Sequence, residues 1–154
     1  MANIKKKYRE VDHGFDETLS SFKKGKTKTV NIGIVSSSTA QHNSGMSMAD
    51  LAALHEFGGG NIPERPFMSQ TMNKNDKTIG KKIRALYKKV LDKAITEDKA
   101  LGLLGEFIKN KMRAEITGGD FTKNAPSTIA KKKSDSPLID TSQLLNSIDW
   151  ELEE

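Results

Sequence analysis

Residues 66–119 read PFMSQTMNKNDKTIGKKIRALYKKVLDKAITEDKALGLLGEFIKNKMRAEITGG, and their periodicity decides the fold. Met68, Met72, Ile79, Ile83, Leu86, Val90 and Ala94 fall on one side of a helix, with lysines over most of the rest. Pro66 suits the first helical position, because its missing N–H would have no intrahelical partner there. Asp98 or a neighbour is of a capping type before a second stripe, Leu101, Leu104, Ile108, Met112 and Ile116, which Gly118 and Gly119 close. Two long amphipathic helices in succession predict an antiparallel pair laid over a sheet.

The strands of that sheet must come from outside this block. Val30, Ile32 and Ile34 alternate with Asn31, Gly33 and Val35, the period of a strand with one buried face. Ile148, Trp150 and Leu152 alternate with Asp149, Glu151 and Glu153, which predicts a last strand with a polar outer face. Val11, Phe15, Leu19 and Phe22 predict a peripheral helix within residues 1–26, weakened by Gly14 and ended by Gly25. Residues 36–47, SSSTAQHNSGMS, carry almost no bulky apolar group and read as a mobile loop.

Residues 48–57, MADLAALHEF, regain helical spacing through Leu51, Leu54 and Phe57 before Gly58, Gly59 and Gly60 stop them. Pro63 and Pro66 then push Ile62 and Arg65 towards extended conformations, giving a stiff strut. A short helix is expected after Ser127, and Asp140 and Thr141 are capping types before Leu144 and Leu145. The expected fold is α+β: a single domain over residues 1–154, a small antiparallel sheet packed by two long amphipathic helices, with long polar loops.

Composition bounds the function. The chain of 154 residues is the length of one domain, and Ile, Leu, Val and Phe supply only 34 of them, so the core is thin. The net charge of +5 and pI near 9.3 permit contact with nucleic acid. The absence of cysteine excludes disulfides, thiolate zinc sites, iron–sulfur clusters and cysteine nucleophiles, and predicts a reducing compartment. Apolar runs such as Leu51–Leu54 are far too short for a bilayer, so no membrane partner is expected. Ile4 leads directly into Lys5, Lys6 and Lys7, which predicts that no secretory leader operates.

The residues offer no catalytic constellation. Gly25-Lys26-Thr27 matches the end of a phosphate loop, but Ser20 stands where the first glycine belongs and a strand follows where a helix is needed. His55-Glu56 begins like a zinc-protease helix, yet position 59 is Gly59. His13, His42 and His55 are far apart, and no serine sits in a nucleophile elbow. No catalytic residue, cofactor site or metal site is therefore expected. Lys131, Lys132 and Lys133 form a candidate basic surface. Arg65 has two readings: a two-pronged grip on a carboxylate of another subunit, or a pin holding its own loop to its own helix.

The order of Val30-Asn31-Ile32-Gly33, then Leu51-Ala52-Ala53-Leu54-His55-Glu56-Phe57-Gly58-Gly59, then Ile62-Pro63-Glu64-Arg65-Pro66-Phe67-Met68 resembles the tail-component and virion-morphogenesis proteins of tailed bacteriophages. Asn124-Ala125-Pro126-Ser127-Thr128, Pro137-Leu138-Ile139-Asp140-Thr141 and Leu144-Leu145-Asn146-Ser147-Ile148 look like their closing segment, so the likeness spans about residues 28 to 152. Ser142 departs from a usual glycine, and Glu64 from a usual small residue.

The resemblance implies a structural protein of the neck or tail end that completes the tail tube and meets the head connector. It implies a homo-oligomer, often a sixfold ring, assembled in the bacterial cytoplasm and carried in the virion. Candidate contact residues are then Ser38, His42 and Met46 in the 36–47 loop, and Gly59, Ile62, Glu64 and Arg65 in the strut, because adaptable segments mould to partners. A basic nucleic-acid-binding module is the competing class, and weak non-specific DNA contact is compatible with a ring as well. A hydrolase built on His55, Glu56 and Arg65 is disfavoured, since residues 55 and 56 point from different faces of one helix.

Overall fold

The computed structural model describes residues 28–35, 45–132, 135–138 and 142–153. The expected 1–26 helix, the Gly25-Lys26-Thr27 string, nearly all of the 36–47 loop, and the capping types Asp140 and Thr141 lie outside these residues. The order is β1 (Thr29–Ile34), α1 (Met48–Phe57), α2 (Phe67–Leu91), α3 (Glu97–Gly118), α4 (Pro126–Lys132), α5 (Gln143–Ser147) and β2 (Ile148–Glu153).

β1 and β2 join the two ends of the described chain as an antiparallel pair, with Val30 opposite Leu152, Ile32 opposite Trp150 and Ile34 opposite Ile148. Directly opposed residues share a face, so this register puts all six apolar side chains on one side. Thr29, Asn31, Asp149, Glu151 and Glu153 go to the other, where Asn31 donates to the Glu153 carboxylate at 3.0 Å. The apolar side lies on α3, which also packs along α2. The α+β arrangement read from the two periodicities is thus the one observed.

α3 serves both neighbours with different faces. Ile108, Met112 and Ile116 are buried with Phe67 and Ile79 of α2, Ala52 of α1, and Phe121, Leu138, Leu144 and Ile148. Towards β2 the helix presents Gly102 and Gly105, and the indole of Trp150 occupies the space their side chains would need. A Cβ on Gly105 would stand 2.7 Å from Trp150 Cγ, and one on Gly102 3.1 Å from Cη2. The indole N–H donates to Glu106 Oε2 at 3.1 Å. Lys109 bridges Glu106 and Asp149 at 2.8 and 3.2 Å. Arg113 fastens the start of β2 by donating to Ile148 O at 3.0 Å.

The helix ends differ in detail from expectation. α2 stops at Leu91 rather than running through Ala94, because Lys93 takes a left-handed conformation (φ 56). The amides of Asp92, Lys93 and Ala94 turn back to Lys88 O, Val90 O and Lys89 O, satisfying the last carbonyls. The cap of α3 is Thr96, a neighbour of Asp98: its hydroxyl accepts from Lys99 N at 3.2 Å, while Glu97 and Asp98 sit in the first turn, where negative charge favours the helix dipole. Pro66 occupies the cap position of α2 instead of its first helical position.

Trp150 yields two predictions. Gly→Ala gains about 1 kcal/mol of helix propensity, against an overpacking cost of about 1–3 kcal/mol where the space is filled. Gly105→Ala is therefore expected to lower stability in urea unfolding by up to about 2 kcal/mol, and Gly102→Ala to be close to neutral; a Gly105→Ala protein as stable as the parent would contradict a seated indole. The second concerns acid. Hydrogen bonds from Lys109 and then Trp150 hold Glu106 below the ordinary carboxylate range, and the backbone N–H of Trp150 does the same for Asp149. Lowered carboxylates stabilise fully above their unfolded values and lose that effect as pH falls through their folded ones. Trp150 is the single tryptophan, so its emission should shift to the red as pH falls through and below the ordinary carboxylate range, and Glu106→Gln should flatten that transition.

Candidate functional site

Two of the strings that carry the resemblance, residues 51–59 and 62–68, bracket the segment between α1 and α2. Ser47 caps α1, accepting from Asp50 N at 3.1 Å and donating to the Asp50 carboxylate at 2.7 Å. At the other end Gly58 (φ 69) leaves the helix, and Gly59 and Ile62 exchange backbone hydrogen bonds of 3.1 and 2.9 Å. The loop between them has two residues, and Gly60 (φ 56) takes its first central position, where such turns favour glycine. Arg65 N donates to His55 O at 2.7 Å, so residues 58–66 fold back as a strap over the last turn of α1.

Glu56 is buried at 5 % exposure and faces the start of α2. Pro66 offers no side-chain cap there. The Glu56 carboxylate supplies one from the preceding helix: Oε2 accepts from Met68 N at 2.9 Å and Oε1 from Ser69 N at 2.8 Å. Ser69 Oγ donates to Oε1 as well, at 2.6 Å. Phe67 N is taken by Arg65 O and Gln70 N by Pro66 O, so every amide of the first turn has an acceptor. Behind it Phe67 and Thr71 are fully buried, and the Thr71 hydroxyl donates to Phe67 O at 2.6 Å.

Arg65 is 4 % exposed and turned inward. Its Nε donates to Thr122 O at 2.8 Å, and Nη2 to Lys123 O at 3.3 Å and Asn124 Oδ1 at 3.1 Å. Asn124 in turn donates to Asp135 O and Ser136 O at 3.3 and 3.2 Å. Burial pulls the guanidinium below its ordinary value, although a pKa that starts so high leaves it charged at neutral pH. This corrects the expectation that placed Arg65 among contact residues. It pins its loop, as the second reading had it, but to the 122–124 segment and not to its own helix.

Of the other candidate contact residues, Ser38 and His42 lie outside the described residues. Met46 is 37 % exposed just before α1. Gly59 and Glu64 are exposed on the strap, and Ile62, also on it, is half-buried. Lys131 and Lys132 end α4, and Lys133 lies outside the described residues. Spacing placed Phe57 among the apolar positions of α1, but it is 78 % exposed at the base of the strap, and spacing gave no sign of Asn124, which ties two loops. The string from Asn124 to Thr128 entered only as part of the resemblance. Among the described residues no group of three His, Cys, Asp or Glu side chains is placed to hold a metal ion, and no helix is long and apolar enough to cross a membrane.

No protein-family model, curated protein or solved structure matches the chain.

The strap predicts separable losses. Glu56→Gln leaves one amide of the α2 start facing an NH2 group, a cost of about 1–3 kcal/mol in urea unfolding, with hydrogen-exchange protection lost at Met68 and Ser69 and kept along α3. Arg65→Met leaves the buried Asn124 amide oxygen and the part-buried carbonyls of Thr122 and Lys123 without their donor and should cost about 1–3 kcal/mol. Unchanged protection at Met68 and Ser69 in Glu56→Gln would mean the cap is not what orders that turn.

Proposed function

We propose that this chain is a structural subunit of the neck or tail end of a tailed bacteriophage, acting through contacts with copies of itself and with tail-tube or head-connector proteins, and not by catalysis. The observation that carries the reading is the strap. Glu56 and Arg65, two of the three charged residues of the 51–59 and 62–68 strings, are spent on holding the strap inside the fold. Phe57 beside them is left 78 % exposed, next to the exposed Gly59-Gly60-Asn61 tip. Covering one phenylalanine ring is worth about 1.5–3 kcal/mol, and a ring of subunits repeats that contact at every interface. The sheet supports the same reading: among the described residues, β1 and β2 each pair on one side only, leaving backbone groups that a neighbour's strand can meet.

The nucleic-acid reading rests on α2, where Lys77, Lys81, Arg84 and Lys88 are all exposed along one face. Salt separates the two classes. Each phosphate contact makes log affinity fall by about 0.9 per decade of salt on duplex DNA, whereas apolar docking changes little.

Phe57→Asp tests the first reading, since a surface replacement should leave monomer stability within about 0.5 kcal/mol. Electron microscopy and light scattering of the purified protein with its adjacent tail-tube or connector protein should show rings or caps for the parent and none for the variant. Rings that form equally well with Phe57→Asp would remove this face from the assembly. A chain that never assembles but binds DNA with a steep salt dependence would replace the reading altogether.

A further inference from the structure

α2 carries more apolar surface than α3 covers. Ile79 and Leu86 are buried, but Ile83, Tyr87 and Leu91 stand 46, 49 and 41 % exposed. They recur every four residues, which makes a stripe about 12 Å long beside the buried face. The row Lys77, Lys81, Arg84 and Lys88 borders that stripe on the solvent side. An exposed apolar stripe fits the apolar face of an amphipathic segment.

The chain holds one ahead of Lys28. Residues 1–27 lie outside the described residues, and their sequence sets Val11, Phe15, Leu19 and Phe22 on one side of a helix. At helical spacing Asp12 and Asp16 border that side on one flank, with Lys23 between them around the axis, while Glu10 and Glu17 fall towards the back. The point where this segment joins the fold is also suitable. Lys28 forms an ion pair with Asp98 in the first turn of α3, at the tip of the α2–α3 hairpin, the end where Leu91 lies. Residues 25–27 reach about 10 Å, and residues 8–24 as a helix extend about 26 Å, less than the roughly 37 Å of α2.

We propose that residues 8–24 dock as an amphipathic helix on the exposed apolar edge of α2 in their own chain, with Phe22 towards Leu91, Leu19 towards Tyr87 and Phe15 towards Ile83. The segment covers the stripe. This inference does not rest on the phage reading and stands or falls separately.

The absence of cysteine makes the test clean. Leu19→Cys combined with Tyr87→Cys, oxidised at micromolar concentration, should form a disulfide within one chain at least tenfold faster than Leu19→Cys combined with Ala85→Cys, which points from the opposite side of α2. Equal rates would overturn the proposal. So would linkage of the Leu19–Tyr87 pair into dimers, which would assign the stripe to a second copy. A second measurement does not depend on forming a bond. A Leu91→Cys thiol should react with a maleimide about tenfold faster when Phe15→Asp and Phe22→Asp are added to the full chain; an unchanged rate would show that residues 8–24 do not cover the stripe.

Discussion

α2 begins at a proline that cannot cap it, and the fold is organised by the solution to that problem. A helix start leaves backbone amides without partners, and burying them unpaired beneath Phe67 and Thr71 would cost several times the worth of one ordinary hydrogen bond. Glu56, at the end of α1, accepts from two of those amides and from Ser69 Oγ. The positive end of the helix dipole offsets part of the cost of burying a carboxylate there. Because the cap comes from another helix, it also fixes where α1 stands relative to α2. The intervening residues are left no choice but a short strap closed by the Gly59–Ile62 turn.

The same economy explains the inward turn of Arg65. A chain with few large apolar residues cannot hold all of its loops by burial alone. The guanidinium collects carbonyls and an amide oxygen from residues 122–124, and Asn124 passes the connection on to residues 135 and 136. Such networks add little net stability because the charge must be desolvated, but their geometry admits few alternatives. α3 applies a different device to the other half of the molecule, where two missing side chains make room for Trp150 and surface ion pairs hold its polar edge.

What was legible in the sequence was what depends on local period. Both long helices, both strands and the polar outer face of the sheet follow from spacings of three to four or of two. What was not legible depends on partners far along the chain. Arg65 finds its acceptors more than fifty residues away, and a charge between a glutamate and a proline carries no sign of whether it turns in or out. Glu56 next to a histidine suggested chemistry, whereas its role depends on a proline ten positions later lacking a cap. The end of α2 at Leu91 was hidden because Lys93 adopts a left-handed conformation without being glycine. Phe57 belonged to an apolar period, and the period says nothing of where the cover runs out.

Phe57 and Glu56 are consecutive on a helix, so their side chains leave it about 100° apart. Fixing one therefore aims the other. The carboxylate is locked by three donors on α2, and the ring beside it is held outward by the same lock, with the strap closed over the helix end by Arg65 N and His55 O. Docking a partner on a ring placed this way orders little that is not already ordered, which is the main cost an assembling subunit has to avoid. In the proposed assembly the buried charges and the exposed ring are thus two parts of one arrangement. The polar residues that first suggested a reaction set the rigidity behind the face, and the apolar residue that suggested only a helix core supplies the contact.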